Sequence, residues 1–267
     1  MGKDTVVLLG VRGSLPVSGG AFARYGGATT CFLLELDGQP LLVDGGSGLL
    51  RLSGPVLEAA SLPLVLTHPH ADHLIGLPLC PYLLQPGKRL ELYAVSRGGL
   101  DACAQVSRLL SPPLWPVEPR ELPAEIVWHE LPETLRLGRL TVERLEGVHP
   151  GGVSLLRVRG GNRTVVVMTD CTLAEERLPT FTAFARDCDL LLCDGQYGEE
   201  EWPACAGYGH STWLMAARFA AACGAGALRI VHHDPRHTDA ELDEAEAAVR
   251  QLFPRGALAR EGETITL

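Results

Sequence analysis

The sequence predicts an α/β protein built as a four-layer αββα sandwich, with helices outside two central sheets. Three observations carry this expectation. Short apolar runs of strand length recur along the chain, ionisable residues stand directly after them, and the later runs are followed by segments with helical spacing and capping residues. Strands that read as continuous apolar runs are those buried on both faces. Two successive halves of strand, polar end and helix therefore call for two sheets back to back, each with a helical layer outside it. At 267 residues the chain is expected to be a single domain, 1–267. Roughly 70 to 75% of the unfolded surface can be buried at such a length, so no disulfide is required.

Taken in order, Thr5 to Gly10 is a strand, followed by the glycine-rich loop VRGSLPVSGGAFARYGGATT. The loop is either a long turn or a place where Arg12, Arg24 and glycine-freed amides approach an anion. A hairpin follows, with strands Cys31 to Leu36 and Pro40 to Val43 around a turn at Asp37 and Gly38. It ends in DGGSG. Asp44 there reads as an aspartate capping a glycine turn behind a site, with a ligand role as the alternative.

The densest chemistry lies in LPLVLTHPHADHLIGLP, Leu62 to Pro78. A strand from Leu62 to Leu66 stops at Thr67 and delivers His68, His70, Asp72 and His73 within six residues. In extended backbone, side chains two apart point the same way, so His68 and His70 can grip one ion together. Pro69 holds His68 extended, because the residue before a proline is kept out of the helical region. Asp72 and His73 are adjacent and need a turn, read as a short helix over LIGLP, to face a second ion. A lone histidine would be read as a satisfied one. Three around an aspartate point to metal.

Further on, Leu90 to Val95 is a strand, and Gly99 to Leu110 has the apolar spacing of a surface helix. The proline-rich SPPLWPVEPRELP is irregular and is expected to wrap the rim of the site, with Trp115 either lining a pocket or packing. Strands resume at Glu125 to Leu131 and Leu140 to Leu145, after which His149 precedes a proline and two glycines, the setting of His68 again. A hairpin of Ser154 to Val158 and Thr164 to Met168 ends in Asp170. A carboxylate buried there unpaired would be costly, and a metal supplies the partner. DLLLCDG repeats the pattern with Asp194, and LRIVHHDPRHTD repeats it with His232 and His233. Helices are expected after His210, over TWLMAARFAAAC, and after a capping box of Thr238 and Glu241. His129 and His237 lack a ligand context and read as surface residues.

The net charge of −9 argues against a nucleic-acid polymer as partner, since such affinity comes from neutralising phosphates. The eight scattered cysteines read as reduced core residues of a cytoplasmic protein. No apolar leader or run of membrane-spanning length is present in the sequence, so a soluble protein without membrane attachment is expected.

The run His68, His70, Asp72, His73, together with His149, Asp170 and a late histidine, resembles the metallo-β-lactamase fold of binuclear hydrolases. RYGGATTC, DGGSG, HPGG, GHST and HHDP are similar to its phosphodiesterase branch related to ribonuclease Z. The resemblance covers nearly the whole chain. It implies His68, His70 and His149 on one metal, Asp72, His73 and His232 on the other, and Asp170 bridging, with His232 chosen over His233 because it directly follows the strand. It also makes His210 the candidate proton donor, and a homodimer is a family-level expectation. Ala71 stands where the branch often has an aromatic residue, and Ala28 where it often has asparagine. No long basic arm for gripping transfer RNA is evident, which argues against tRNA processing.

Mixed imidazole and carboxylate donors suit zinc first, with manganese or iron(II) as the other choices. Two such ions lower the pKa of a bridging water from about 15.7 toward 7, so no separate base is needed. His210, Asp72 and Asp194 form the expected catalytic set. His210 would protonate the leaving oxygen, and Asp194 would orient it or else serve as a structural turn residue. Arg12 and Arg24 are candidate substrate contacts. The expected activity is hydrolysis of a small or cyclic phosphodiester, an anionic small molecule. A thioester or lactone hydrolase and a non-hydrolytic metal-binding regulatory module are the alternatives.

Overall fold

A computed structural model describes residues 3–267. Among these residues the chain forms two seven-stranded mixed sheets. The first contains β1 (Thr5–Gly10), β2 (Cys31–Leu36), β3 (Gln39–Val43), β4 (Ser61–Val65), β5 (Arg89–Ala94), β6 (Glu125–Glu130) and the last strand, β14 (Glu263–Thr266), in the order β14-β1-β2-β3-β4-β5-β6. The second contains β7 (Thr134–Leu137), β8 (Leu140–Glu146), β9 (Ser154–Gly160), β10 (Arg163–Met168), β11 (Leu190–Asp194), β12 (Leu228–Val231) and β13 (Gly256–Leu258), which run from β13 to β7 in strict succession. Helix α1 (Ala102–Leu109) lies outside the first sheet, and α2 (Leu178–Ala185), α4 (Trp213–Cys223) and α5 (Asp239–Leu252) lie outside the second. The one-turn α3 (Trp202–Cys205) sits in the loop after β11.

Side-chain alternation along the strands builds three apolar cores, and these separate the four layers. Phe32, Leu34 and Leu36 of β2 face the second sheet, where they meet Val165 and Val167 of β10 and Leu190 and Leu192 of β11. Cys31 and Leu33 point the other way, toward the layer carrying Val106 of α1. Val166, Met168, Leu191 and Cys193 point outward to Phe219 of α4 and to Leu242 and Val249 of α5. The sandwich expected from the apolar runs is the one observed.

Strands β3 to β6 are mutually parallel, as are β10 to β13. Their carboxyl ends therefore open on a shared rim, the position where α/β sheets place ligands. The two sheets are stitched together there. Gly13 N donates to His233 O at 2.9 Å, His233 N to Val11 O at 3.0 Å, and Ser154 N to Thr67 O at 3.0 Å.

Most expected strands begin and end within a residue or two of their observed limits. β7, β13, β14, α2 and α3 are unanticipated; they are short or weakly patterned segments whose places are set by packing rather than periodicity. The proline-rich segment is irregular apart from a 3-10 turn at Pro119–Glu121. It does not wrap the rim as expected: Trp115 and Leu122 pack against the outer core of the first sheet. The capping box at α5 is present, with Glu241 Oε2 accepting from Thr238 N at 2.7 Å. All eight cysteines are unpaired. No helix of the described residues is long and apolar enough to cross a membrane.

Candidate metal centre

Beyond β4, Thr67 is fastened to the end of β3: its amide donates to Asp44 Oδ1 at 2.7 Å and its hydroxyl to Asp44 Oδ2 at 2.9 Å. The extended stretch that follows presents His68 and His70 on one side, with ring centroids 4.4 Å apart. A 3-10 turn at Ala71–His73 then redirects Asp72 and His73. This is the change of direction their adjacency demanded, although the turn is shorter and earlier than a helix over LIGLP.

The second sheet supplies its donors one strand end at a time. His149 follows β8, Asp170 follows β10, Asp194 ends β11, and His232 follows β12. Asp44, Asp170 and His232 all adopt left-handed backbone, with φ of 61°, 53° and 65°. That region is sparsely occupied by non-glycine residues and is typical of functional sites. Two glycines admit the imidazoles: a Cβ on Gly13 would lie 2.3 Å from His232 Nδ1, and one on Gly209, at φ 91°, 2.3 Å from His149 Nδ1.

Two groups of donor atoms result, each with its members within 4.8 Å of one another: His68, His70, His149 and Asp170, and Asp72, His73, Asp170 and His232. Asp170 belongs to both. His73 Nε2 lies 3.2 Å from Asp170 Oδ1 and 3.4 Å from Asp72 Oδ2, while His232 Nε2 is 3.1 Å from Asp72 Oδ2 and from Asp170 Oδ2. In the other group His149 Nε2 lies 3.1 Å from His70 Nδ1, and His68 Nε2 lies 3.6 Å from Asp170 Oδ2. Donors sharing one tetrahedral ion at bond lengths of about 2.0–2.2 Å lie roughly 3.4 Å apart. The spacing fits.

Hydrogen bonding at the far side of each ring assigns the tautomers. His73 Nδ1 donates to the Asp44 carboxylate at 2.8 Å, and His149 Nδ1 to Gly209 O at 3.0 Å. His232 Nδ1 donates to Gln196 Oε1 at 3.0 Å, whose amide nitrogen is spent on Tyr197 and Asp234. Thr67 Oγ1 gives its proton to Asp44 and so accepts from His68 Nδ1 at 3.1 Å. In the neutral rings, all four Nε2 lone pairs therefore face the cluster. Two of these atoms, His68 Nε2 and His73 Nε2, are buried without any hydrogen-bond partner. A buried polar atom without a partner is costly, and a cation is the group these lone pairs suit. Donors oriented from behind by carboxylates, carbonyls and amides are the usual support of a metal site.

Charge divides the two groups. Burial, and then neighbouring His73, push His68 well below the usual histidine range, and His70 and His149 are lowered too, with burial foremost. Burial opposes the charge on His232, but Asp170 and Asp72 overcome it and lift the ring to about 10. His73 rises in the same way, against burial, through Asp170, Asp72 and Asp44. Burial likewise works against the Asp72 and Asp170 anions, yet the surrounding imidazoles hold both below the carboxylate norm. The carboxylate-rich group is thus the one that most strongly attracts positive charge.

His210 Nδ1 donates to Asp194 Oδ2 at 2.8 Å, and Asp194 Oδ1 accepts from Ser211 N at 2.8 Å. The His210 ring stacks on His232 with centroids 4.8 Å apart. Asp194, His210 and His232 also lie close enough to form a third donor group. Its His210 and His232 Nδ1 atoms already carry protons given to Asp194 and Gln196, which makes it a hydrogen-bonded dyad beside the centre instead.

Several expected placements need correction. Arg12 is completely buried; its Nε donates to Gly26 O at 2.8 Å and its Nη1 to Asp234 O and His237 O at 2.9 and 2.8 Å. It is a strut between loops, because carbonyls sealed under the rim need a donor, and it cannot reach a substrate. Arg24 is exposed but turned to α5, in ion pairs with Asp239 and Asp243. His237 is buried against Glu201 Oε2 at 2.9 Å, and His129 is half-buried against Glu91 Oε2 at 2.6 Å, so neither is a free surface residue. His233 turns away from the centre, with its Nε2 on Ala259 O at 2.9 Å. The sequence reading missed Gln196, Thr67 and the Ser14 amide, which donates to Asp72 Oδ2 at 2.8 Å. Their types carry no metal signal; only their proximity to strand ends could have suggested them.

Comparison with known proteins agrees with this geometry. The model of the β-lactamase superfamily domain matches residues 41–233. The chain belongs to that family. Within it, the Probable metallo-hydrolase YhfI of Bacillus subtilis is 27% identical over 80% of this chain and 83% of its own length. A Ribonuclease Z of Lachnoclostridium phytofermentans is 25% identical over 98% of this chain and 97% of its own. The crystal structure of YhfI superposes with a TM-score of 0.72 at 22% identity, covering 98% of both chains. A diphosphatase from the PhnP family gives 0.69 at 19% identity, over 99% of this chain and 97% of that one. The metallo-β-lactamase fold is thereby established. A Ribonuclease Z relative that runs the whole length of the chain also removes the argument that a net charge of −9 excludes a nucleic-acid partner.

Proposed function

We propose that this metal-dependent hydrolase cleaves a phosphodiester, small or cyclic, at the two donor groups that share Asp170. The observation that carries the reading is that sharing: His68, His70 and His149 on one side of Asp170, and Asp72, His73 and His232 on the other, with the His210–Asp194 dyad stacked against the second. The full-length Ribonuclease Z relative supports phosphodiester chemistry. Two divalent ions, zinc first, would supply Lewis acidity there, making hydroxide available near pH 7 and drawing charge from the phosphoryl oxygens.

The residues of the chain meet the remaining needs. Asp44, Thr67, Gly209 O and Gln196 lock the rings so that their lone pairs converge. His70 is the exposed member of the cluster, so substrate enters from its side. Asp194 keeps a proton on His210 Nδ1, and the proton His210 gives to the leaving oxygen departs from Nε2.

The test combines metal analysis of the purified protein with turnover of bis(p-nitrophenyl) phosphate and a 2′,3′-cyclic nucleotide, set against a thioester and lactone panel. Phosphodiester cleavage that chelation abolishes is expected. Thioester or lactone hydrolysis without phosphodiester cleavage would overturn the substrate class, and bound metal with no turnover at all would make the protein a binding module.

A further inference from the structure

Pro69 and Ala71, on either side of the exposed His70, also form one wall of a cavity of about 330 Å³. That volume falls at the lower end of the range that holds small ligands, about 300–1,000 Å³. Leu109 contributes apolar surface to its floor, and the polar lining is Arg97, Gln105 and Arg108. Nothing in the proposed chemistry uses these three.

Their hydrogen bonding is incomplete in a particular way. Gln105 Nε2 donates to Val95 O and Leu100 O, both at 2.8 Å. Both partners are carbonyls, which only accept, so the amide cannot be turned over and its Oε1 must be an acceptor. That oxygen has no partner, although Gln105 is only 4% exposed. Arg97 spends its terminal nitrogens on Glu146 and Ser154, leaving its buried Nε–H without an acceptor. Both atoms are sealed from solvent, so Arg97 and Gln105 form a fixed wall and offer the cavity neither of these groups. Arg108, exposed on the last turn of α1, has no ion-pair partner among the described residues. Its guanidinium is available to an anion.

We propose that this cavity is the subsite for the part of the substrate beyond the scissile phosphodiester, and that it selects a group carrying a second anion, phosphate or carboxylate. The inference rests on the phosphodiesterase reading above. Ala71 suits the role, since it lines the cavity and a larger side chain there would take up part of its volume.

The experiment compares kcat/KM for adenosine 2′,3′-cyclic phosphate and its 5′-phosphorylated form, in the wild-type enzyme and in Arg108→Ala, Arg108→Glu and Arg108→Lys. The wild type should prefer the 5′-phosphorylated substrate about ten- to a hundredfold, mainly through KM, as expected for a hydrogen bond to a charged group. Arg108→Ala should lose that preference, Arg108→Glu should reverse it, and Arg108→Lys should keep part of it. Equal kcat/KM for the two substrates in the wild type, or a preference that survives in Arg108→Ala, overturns the subsite alone. Turnover of neither, with bis(p-nitrophenyl) phosphate also left intact, sinks the phosphodiesterase reading and the subsite with it.

Discussion

The two halves of the molecule deliver donors to the centre by opposite means. The first sheet supplies His68, His70, Asp72 and His73 from a single loop, whose shape is set locally by Pro69 and the 3-10 turn after His70. The second supplies His149, Asp170 and His232 from the ends of three different strands. Local backbone geometry is enough to arrange the first set. The second set converges only if β8, β10 and β12 hold their register, so its geometry is a property of the whole sheet. A contiguous loop is therefore visible in sequence as a motif, whereas a distributed set is visible only as a repeated context.

Asp170 is where this contrast can be broken most directly, because it is the one residue in both donor groups. Asp170→Ala should produce the largest effect of any single substitution: activity below detection, and metal content lower than in a variant of any donor that belongs to one group. Plasma mass spectrometry of the purified variant checks this. Metal content equal to that of His70→Ala would show the two groups to be independent rather than joined.

His210 stands beside the distributed half without belonging to its donor groups. His210→Ala should lower turnover about 10²- to 10⁴-fold, the usual worth of a positioned acid, while metal content stays unchanged. Loss of metal in that variant would show His210 to be a ligand. The pair can be sharpened with a substrate whose leaving group needs no proton: on a p-nitrophenyl ester the deficit should shrink, since p-nitrophenolate leaves unprotonated.

The same contrast explains what could be read from sequence. HPHADH pointed to a candidate metal site unaided, and the strand-end context added His149, Asp170 and His232, with Asp194 beside them, because each stands at or just beyond the end of a strand. Arg12 misled for a physical reason. An arginine in a glycine-rich loop looks free, yet the loop bridges β1 to the segment after β12, and the carbonyls trapped beneath it needed a donor. His237 misled likewise, its partner Glu201 lying 36 residues away in the chain. The orienting groups Gln196 and Thr67 are ordinary polar residues until the fold places an imidazole beside them. The strands β13 and β14 are three and four residues long and owe their pairing to neighbours that sequence does not display.

The orienting groups offer the finest comparison, since one Nδ1–H of each half can be set against the other, with acceptors that differ in charge. In the first half Asp44, a carboxylate, accepts from His73 and twice from Thr67. In the second half Gln196, a neutral amide, accepts from His232. Supporting groups of this kind cost about 10- to 100-fold in metal affinity when removed. Asp44→Asn should fall toward the upper end, because the anion both strengthens the lone pair at His73 Nε2 and braces the loop that carries all four contiguous donors. Gln196→Leu should fall near the lower end: the amide adds no charge, and the strand end after β12 still positions the ring. Chelator titrations that follow metal release from both variants measure the difference directly. Equal losses would mean that ring orientation alone matters, and that the carboxylate charge behind the contiguous half adds nothing to its grip.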